Sequence, residues 1–476
     1  MKSHYWWLAI LAFGSISAGV LRSFNFGCIA AGLMVAAMGL RHWCEPLKVV
    51  CRLKGMIWTR EDFCRGWFIS GATGSGKTAS GIRQLLFQLF THQPDFGGVC
   101  IDEKGTLHET LIEMAAHFGR ADDVIVIRVR PDGSAEVPPH RFNLIGDRSV
   151  PAATHARFVI DTATAMGNRR EQSFFKAAAQ IHMAQAQLAL ESLSYEVSLE
   201  NVYHLLTDLQ DLKDVAEALE SRQPELARHF QKFLAQPPEQ LAGITGTVTN
   251  YLHHFTQPEI TEVFCRDSNF SMEDVDRGKI ICLALPQKFQ TERRYVGTFL
   301  KLLFYYHALQ RFDLPEAERQ ERNLLLFLAD EAQHFLTVSE DGSSDHNVVD
   351  VLREAGVAFV AATQSSTSLV PLLGAENSKV LGLNLRNRMI FTAADEEDAR
   401  NSAEFLGKKM VYEYAETSGT GQRSRTRHRK EAHRIEPHQL RKLRNHQCVL
   451  VHAEKGFKRC VLPPIEADGS ICRWFR

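Results

Sequence analysis

The chain opens on two almost wholly apolar runs, residues 5–21 and 26–40, separated only by Arg22-Ser23-Phe24-Asn25. A spanning helix needs about 20 apolar residues, with about 17 still within range, so each run is short for one. Trp6, Trp7 and Trp43 stand near the outer ends, where an aromatic belt would lie. Lys2 precedes the pair, and Arg41, Lys48, Arg52 and Lys54 follow it, a bias that puts both ends in the cytoplasm. Arg22 in the short external loop runs against that orientation. The leading expectation is a transmembrane hairpin over residues 1–43. A cleaved signal peptide leaves the second run unexplained. A buried soluble helical hairpin stays open.

Beyond residue 44 the periodicity changes. Trp67, Phe68 and Ile69 form a short strand-like run, and Ile82, Leu85, Leu86, Leu89 and Phe90 then fall at helical spacing. Residues 98–102 and 124–129 read as two further buried strands, the latter ended by the turn Arg130-Pro131-Asp132-Gly133. Strands alternating with helices predict a parallel, doubly wound sheet. From residue 152 to about 271 only helical spacing is found. Phe174, Ala178, Ile181 and Leu188 share one helical face, and Pro224 and Pro237-Pro238 punctuate the segment. Strand signals return at 279–285, 324–329, 356–363 and 389–392, with helices over 295–309 and 395–407. The expected organisation is therefore an α/β nucleotide-binding domain over residues 44–150 and 276–476, interrupted by an all-helical insert at 151–275.

Two tracts within this pattern carry chemistry. Residues 71–78 read Gly71-Ala72-Thr73-Gly74-Ser75-Gly76-Lys77-Thr78 between a strand and a helix, the spacing and setting of a phosphate-cradling loop. The glycines let backbone N–H groups turn toward a β-phosphate, and the following helix adds its N-terminal partial charge. Lys77 is expected to reach the β- and γ-phosphates of ATP, and the Thr78 hydroxyl to ligate Mg²⁺. The second tract is the run 324–329 leading straight into Asp330 and Glu331. Such a strand is buried on both faces of a parallel sheet, and ligands bind outside the carboxyl ends of its strands. Asp330 is assigned to the Mg²⁺ shell and Glu331 to the attacking water. An acidic pair opening a helix is the plain alternative. Gln364 ends the next strand at the same edge, suited to contact the γ-phosphate or the water; a strand-end amide satisfied by loop backbone is its alternative.

Composition narrows the partners. With 55 Lys and Arg against 56 Asp and Glu, net charge −1, any nucleic-acid surface must be local. The local candidate is Arg423, Arg425, Arg427, Arg429, Lys430 and Arg434, followed by Arg441, Lys442 and Arg444. Such a stretch attracts phosphates in a salt-dependent way; a solvated basic loop or one near anionic lipid is the alternative. It has no interleaved aromatics, so base stacking is not indicated there. The 10 cysteines make no C-x-x-C pair, which argues against zinc and for reduced thiols.

Taken together, these motifs resemble the coupling-protein ATPases of conjugative and type IV secretion systems. The resemblance covers nearly the whole chain: the apolar hairpin, the loop 71–78, Asp102-Glu103-Lys104-Gly105, an insert opening with Glu171-Gln172-Ser173-Phe174-Phe175, Ala329-Asp330-Glu331-Ala332, Ala362-Thr363-Gln364-Ser365, residues 384–392 and residues 436–443. It implies a RecA-like P-loop NTPase assembled as a homo-hexamer with nucleotide between subunits. It also implies anchoring in the bacterial inner membrane with the ATPase domain in the cytoplasm. Single-stranded DNA or a relaxase–DNA complex would be handed to the type IV secretion channel subunits. By position, Arg353 matches an arginine reaching into the neighbour's site and Arg65 a second nucleotide-contacting arginine. The chain departs from the family pattern at Thr106, where an acidic residue is usual, and at Asn143-Leu144; its external segment is nearly absent. Two other functions remain to be weighed: a RecA-like translocase for chromosome handling or defence, and a substrate receptor that uses ATP only for assembly.

Overall fold

The computed structural model describes residues 49–475 apart from 132–133, 168–171, 340–342 and 420–421, with the backbone alone across 415–419 and 422–426. The apolar runs at 5–21 and 26–40 lie outside the described residues. Among the described residues no helix is long and apolar enough to cross a membrane.

Among the described residues thirteen strands follow one another: β1 Val49–Leu53, β2 Met56–Thr59, β3 Trp67–Ser70, β4 Gly97–Asp102, β5 Val124–Ile127, β6 Ile280–Leu283, β7 Leu325–Asp330, β8 Val357–Thr363, β9 Asn387–Ile390, β10 Lys408–Gly419, β11 Gln422–His433, β12 Gln447–His452 and β13 Gly456–Val461. Nine of them form one sheet in the order β13-β12-β9-β3-β8-β7-β4-β6-β5. From β9 to β5 all neighbours are parallel. The expected parallel sheet therefore stands, extended at the β9 edge by β12 and β13, which pair antiparallel. These last two were not anticipated: β12 carries the short apolar run Cys448-Val449-Leu450-Val451, which no motif marked, and in β13 Lys458 and Arg459 stand side by side and break the apolar pattern.

Strands buried on both faces divide their side chains between two cores. Val99, Ile101, Ile125, Phe327 and Phe359 point to one face; Trp67, Ile69, Cys100, Leu326 and Val360 point to the other. The second face is covered by the helices Arg83–His92 and Leu107–His117 through Leu85, Leu89, Leu111 and Met114. The first is covered by the helix Gln290–Leu309, and its apolar cluster runs on without a break into the helices between β5 and β6. Among the described residues every regular element between Ala152 and Arg277 is helical. The face that Phe174, Ile181 and Leu188 share on the helix Ser173–Ser192 is turned outward, each residue being exposed. That helix instead buries Ala179, Met183, Ala186 and Leu190.

At the amino ends of the strands Arg311 acts as a clamp. It donates to the carbonyls of Asn323 and Ala355 at 3.0 and 3.1 Å and pairs with Asp276 at 2.5 Å. This ties the entries of β6, β7 and β8 together and fixes where their carboxyl ends fall.

The basic stretch is not an irregular loop. From Arg423 to Lys430 it lies on strand β11, paired with β10 over the full length of a separate two-stranded ribbon, and Arg434 follows the strand. The pairing also brings Tyr412 and Tyr414 opposite Arg429 and Arg427. Read linearly the stretch lacks aromatics, but its cross-strand neighbours supply them.

Candidate nucleotide-binding site

The loop 71–78 leaves the carboxyl end of β3 and is held on both sides. Ala72 N–H donates to the Thr392 carbonyl at 2.8 Å, beyond the end of β9, and His446 N–H donates to the Ser75 carbonyl at 2.9 Å. Gly76 has φ 105°, and a Cβ there would lie 2.7 Å from His446 Nδ1, so only glycine fits. His446 also bonds Ser80 through Nδ1 at 2.7 Å and lies against the rings of Trp474 and Phe475. The helix expected after the loop begins as a π-turn, Lys77–Ile82, before it continues as Arg83–His92. Wide turns of this kind recur at functional sites.

Lys77 is buried, and its ammonium donates to the Gly71 carbonyl at 2.6 Å. Burial pulls its pKa below the ordinary value, with the charges of Glu331 and Asp330 opposing. A phosphate offers this ammonium a stronger, charge-assisted partner than a neutral carbonyl does.

Asp330 is the last residue of β7, on the neighbouring strand to β8, which itself pairs with β3. Thr78 Oγ1 donates to Asp330 Oδ2 at 3.0 Å. Burial raises the Asp330 pKa, the Thr78 bond opposes, and the charges of Glu331 and Asp102 add to the rise. Asp102, which ends β4 in register with Asp330, is raised by burial as well, against hydrogen bonds from the Thr106 and Leu107 backbone. A hydroxyl and two buried carboxylates side by side are hard oxygen donors, the set that Mg²⁺ takes. The sequence reading did not assign Asp102 to the site. Its signal was the same one that marked Asp330, an acidic residue closing a buried strand.

Glu331 follows with φ 54° and ψ 51°, a left-handed conformation that costs a non-glycine residue on the order of 1–3 kcal/mol. Its two carboxylate oxygens accept from Gln364 Nε2 at 3.3 Å and from Gln333 Nε2 at 2.9 Å. Gln364 Oε1 in turn accepts from Thr73 Oγ1 at 3.4 Å. A polar chain Thr73–Gln364–Glu331 therefore spans from the glycine loop to the acidic pair. Gln333 and His446 escaped the sequence reading, since neither stands in a recognisable motif.

Next to this cluster, Glu103 anchors the turn after β4. Burial alone would raise its pKa, but hydrogen bonds from Arg294 and Gln290 bring it below the usual carboxylate value.

The two arginines are not part of the cluster. Arg65 precedes β3 and pairs with Glu61 at 2.9 Å and with Glu454. Arg353 lies in the last turn of the helix Asp345–Glu354, before β8, with Glu354 at 3.7 Å. Both stand at the amino ends of strands whose carboxyl ends carry the loop and Gln364. Among the described residues no group of three or more His, Cys, Asp or Glu could hold a metal ion on its own; the oxygens gathered here include a threonine hydroxyl.

Comparison with known proteins accords with this geometry. The family described as "Type IV secretion-system coupling protein DNA-binding domain" matches residues 55–461. Among solved structures, the bacterial conjugative coupling protein TrwBdeltaN70 in its unbound monoclinic form is similar over 90% of this chain and 91% of that one, with TM-score 0.64 at 17% identity. The plasmid coupling protein TrwB in complex with ADP and Mg²⁺ gives TM-score 0.62 at 17% identity, over 87% of this chain and 89% of that one. VirB4 of Thermoanaerobacter pseudethanolicus gives TM-score 0.50 at 13% identity, over 87% and 95%. At these identities the likeness is one of fold. No curated protein matches the chain by sequence.

Proposed function

The chain belongs to the type IV secretion-system coupling protein family, and on that premise we propose that it is an ATP-hydrolysing motor that passes DNA to a secretion channel. The observation that carries this reading is the meeting of Thr78 and Asp330 at 3.0 Å beside the buried Lys77. In this reading Lys77 and the N–H groups of residues 71–78 bind the phosphates of ATP. Thr78 and Asp330 would hold Mg²⁺, with Asp102 beside them. The ion, when bound, neutralises charge developing on the phosphate oxygens. Glu331 orients and deprotonates the attacking water, and Gln364 holds the Glu331 carboxylate toward the γ-phosphate. Solved TrwB complexes with ADP and Mg²⁺ and with a non-hydrolysable ATP analogue support nucleotide and metal as the ligands.

Arg353 is proposed to act on a neighbouring subunit, because its own helix holds it away from its own phosphate loop. This role calls for a ring, for which six subunits is the family expectation. Arg65 is proposed as a second contact to nucleotide, released from Glu61 and Glu454 on assembly. Residues 1–43 would anchor the ring in the bacterial inner membrane, and the helices over 151–275 would face the relaxase–DNA complex. Lys77→Ala tests the enzyme assignment: ATP turnover and DNA transfer should both vanish while the protein stays in the membrane fraction. Retained turnover in the purified variant would contradict it.

A further inference from the structure

We propose that the β10–β11 ribbon is a track for single-stranded nucleic acid, with one of its two faces making the contact. The proposal rests on the DNA-motor reading and adds to it a surface and a mode of recognition.

In a two-stranded ribbon, residues directly opposite each other share a face, and successive residues alternate between faces. The register pairs Met410 with Glu431, Tyr412 with Arg429, Tyr414 with Arg427, Glu416 with Arg425 and Ser418 with Arg423. All four alternating arginines, 423 through 429, therefore belong to one face, together with both tyrosines. The other face carries Lys409 opposite Ala432, Val411 opposite Lys430 and Glu413 opposite His428, and there Lys430 is paired to Glu413 at 3.2 Å. The arginines of β11 thus all lie on one face, four of them against the two glutamates Glu416 and Glu431.

The aromatic component is equally placed. Tyr412 and Tyr414 are 50% and 52% exposed, and with Met410 two residues before Tyr412 they line the same face as a strip of large side chains open to solvent. The guanidinium carbon of Arg427 lies 3.5 Å from the centre of the Tyr412 ring, the diagonal contact that long side chains make across strands. Arginine rows draw phosphates, and flat rings backed by guanidinium stack on bases whatever their sequence. Duplex DNA hides its base faces inside the stack, so the tyrosines favour a single strand over a duplex. An anionic bilayer would use the arginines but has no flat partner for the rings.

The test is binding of fluorescent oligo-dT to the full chain in detergent, across a salt series. Tyr412→Ala should weaken binding about 5- to 10-fold, and Tyr412→Phe should restore it. Removing Arg427 and Arg429 together as glutamines should lower the slope of log affinity against log salt by about 1.4, at about 0.7 for each phosphate no longer neutralised. Lys430→Gln, on the opposite face, should change affinity less than about twofold. Weakening by Lys430→Gln equal to that from one arginine, a preference for duplex, or Tyr412→Ala binding as wild type would overturn the proposal. So would weakening confined to phosphatidylserine vesicles with oligo-dT binding unchanged. Wild-type protein that binds oligo-dT through this face but never turns over ATP would sink the motor reading and leave the ribbon standing.

Discussion

Thr78 and Asp330, 252 residues apart in sequence, meet in a hydrogen bond of 3.0 Å at the carboxyl edge of one sheet. The bond joins the end of the glycine loop to the end of β7, with only β8 between the two strands. It places a hydroxyl and a buried carboxylate where one ion can take both. Thr78→Ala and Asp330→Asn should therefore each reduce the gain in nucleotide affinity that Mg²⁺ provides, by at least about 10-fold. Nucleotide titrations with and without the metal check this; an unchanged metal dependence in both variants would separate the pair from the ion.

Glu331 is held by two glutamines in a strained backbone turn, and strain of this kind persists where the surroundings over-determine it. In its proposed role as general base it would contribute on the order of 10²–10⁴ in rate. Glu331→Gln should lower kcat by that factor while ATP binding persists, leaving a nucleotide-loaded protein. Wild-type turnover in the variant would move the base elsewhere.

Arg353 stands apart from its own loop, so its contribution is expected to come across a subunit boundary. An arginine supplied in trans is worth on the order of 10³–10⁵ in rate. Mixing Arg353→Ala subunits with wild-type subunits should reduce activity more steeply than the fraction of variant added. A strictly proportional decline would place the residue outside the catalytic step.

Asp276 offers a test of the scaffold, away from the chemistry. Burial would raise its carboxyl, but hydrogen bonds from His307 and the charge and bonds of Arg311 hold it down to about 2. A depressed folded-state value means stability that is present above the ordinary carboxylate range and is lost as pH falls from about 4 toward 2. Asp276→Asn should cost about 2 kcal/mol at pH 7, and the gap in Tm between variant and wild type should close as pH drops through that window. A gap independent of pH would assign the cost to packing alone.

Much of this arrangement was legible from the residues. Continuous apolar runs ending in Ser70, Asp102, Asp330 and Thr363 identify buried parallel strands, and the glycine spacing identifies the loop, because both signals are local. The acidic pair and Gln364 follow from where such strands must end. What stayed hidden depends on pairing between distant segments. His446 closes on the loop through Ser75 and Ser80 from a turn with no motif of its own. Asp102 joins the site only because β4 lies in register with β7. The ribbon was missed because β11 is almost wholly polar, and strand periodicity is invisible where neither face is buried. The outward face of Phe174, Ile181 and Leu188 shows the converse: helical spacing locates a face without saying which way it turns.

The most direct test is ATP hydrolysis by the full chain in detergent, measured with and without single-stranded DNA. Turnover that rises when the strand is added is the expected result. A protein that binds ATP at the loop 71–78 yet hydrolyses it no faster than a Lys77→Ala control, with or without DNA, would contradict the reading of this site as a motor.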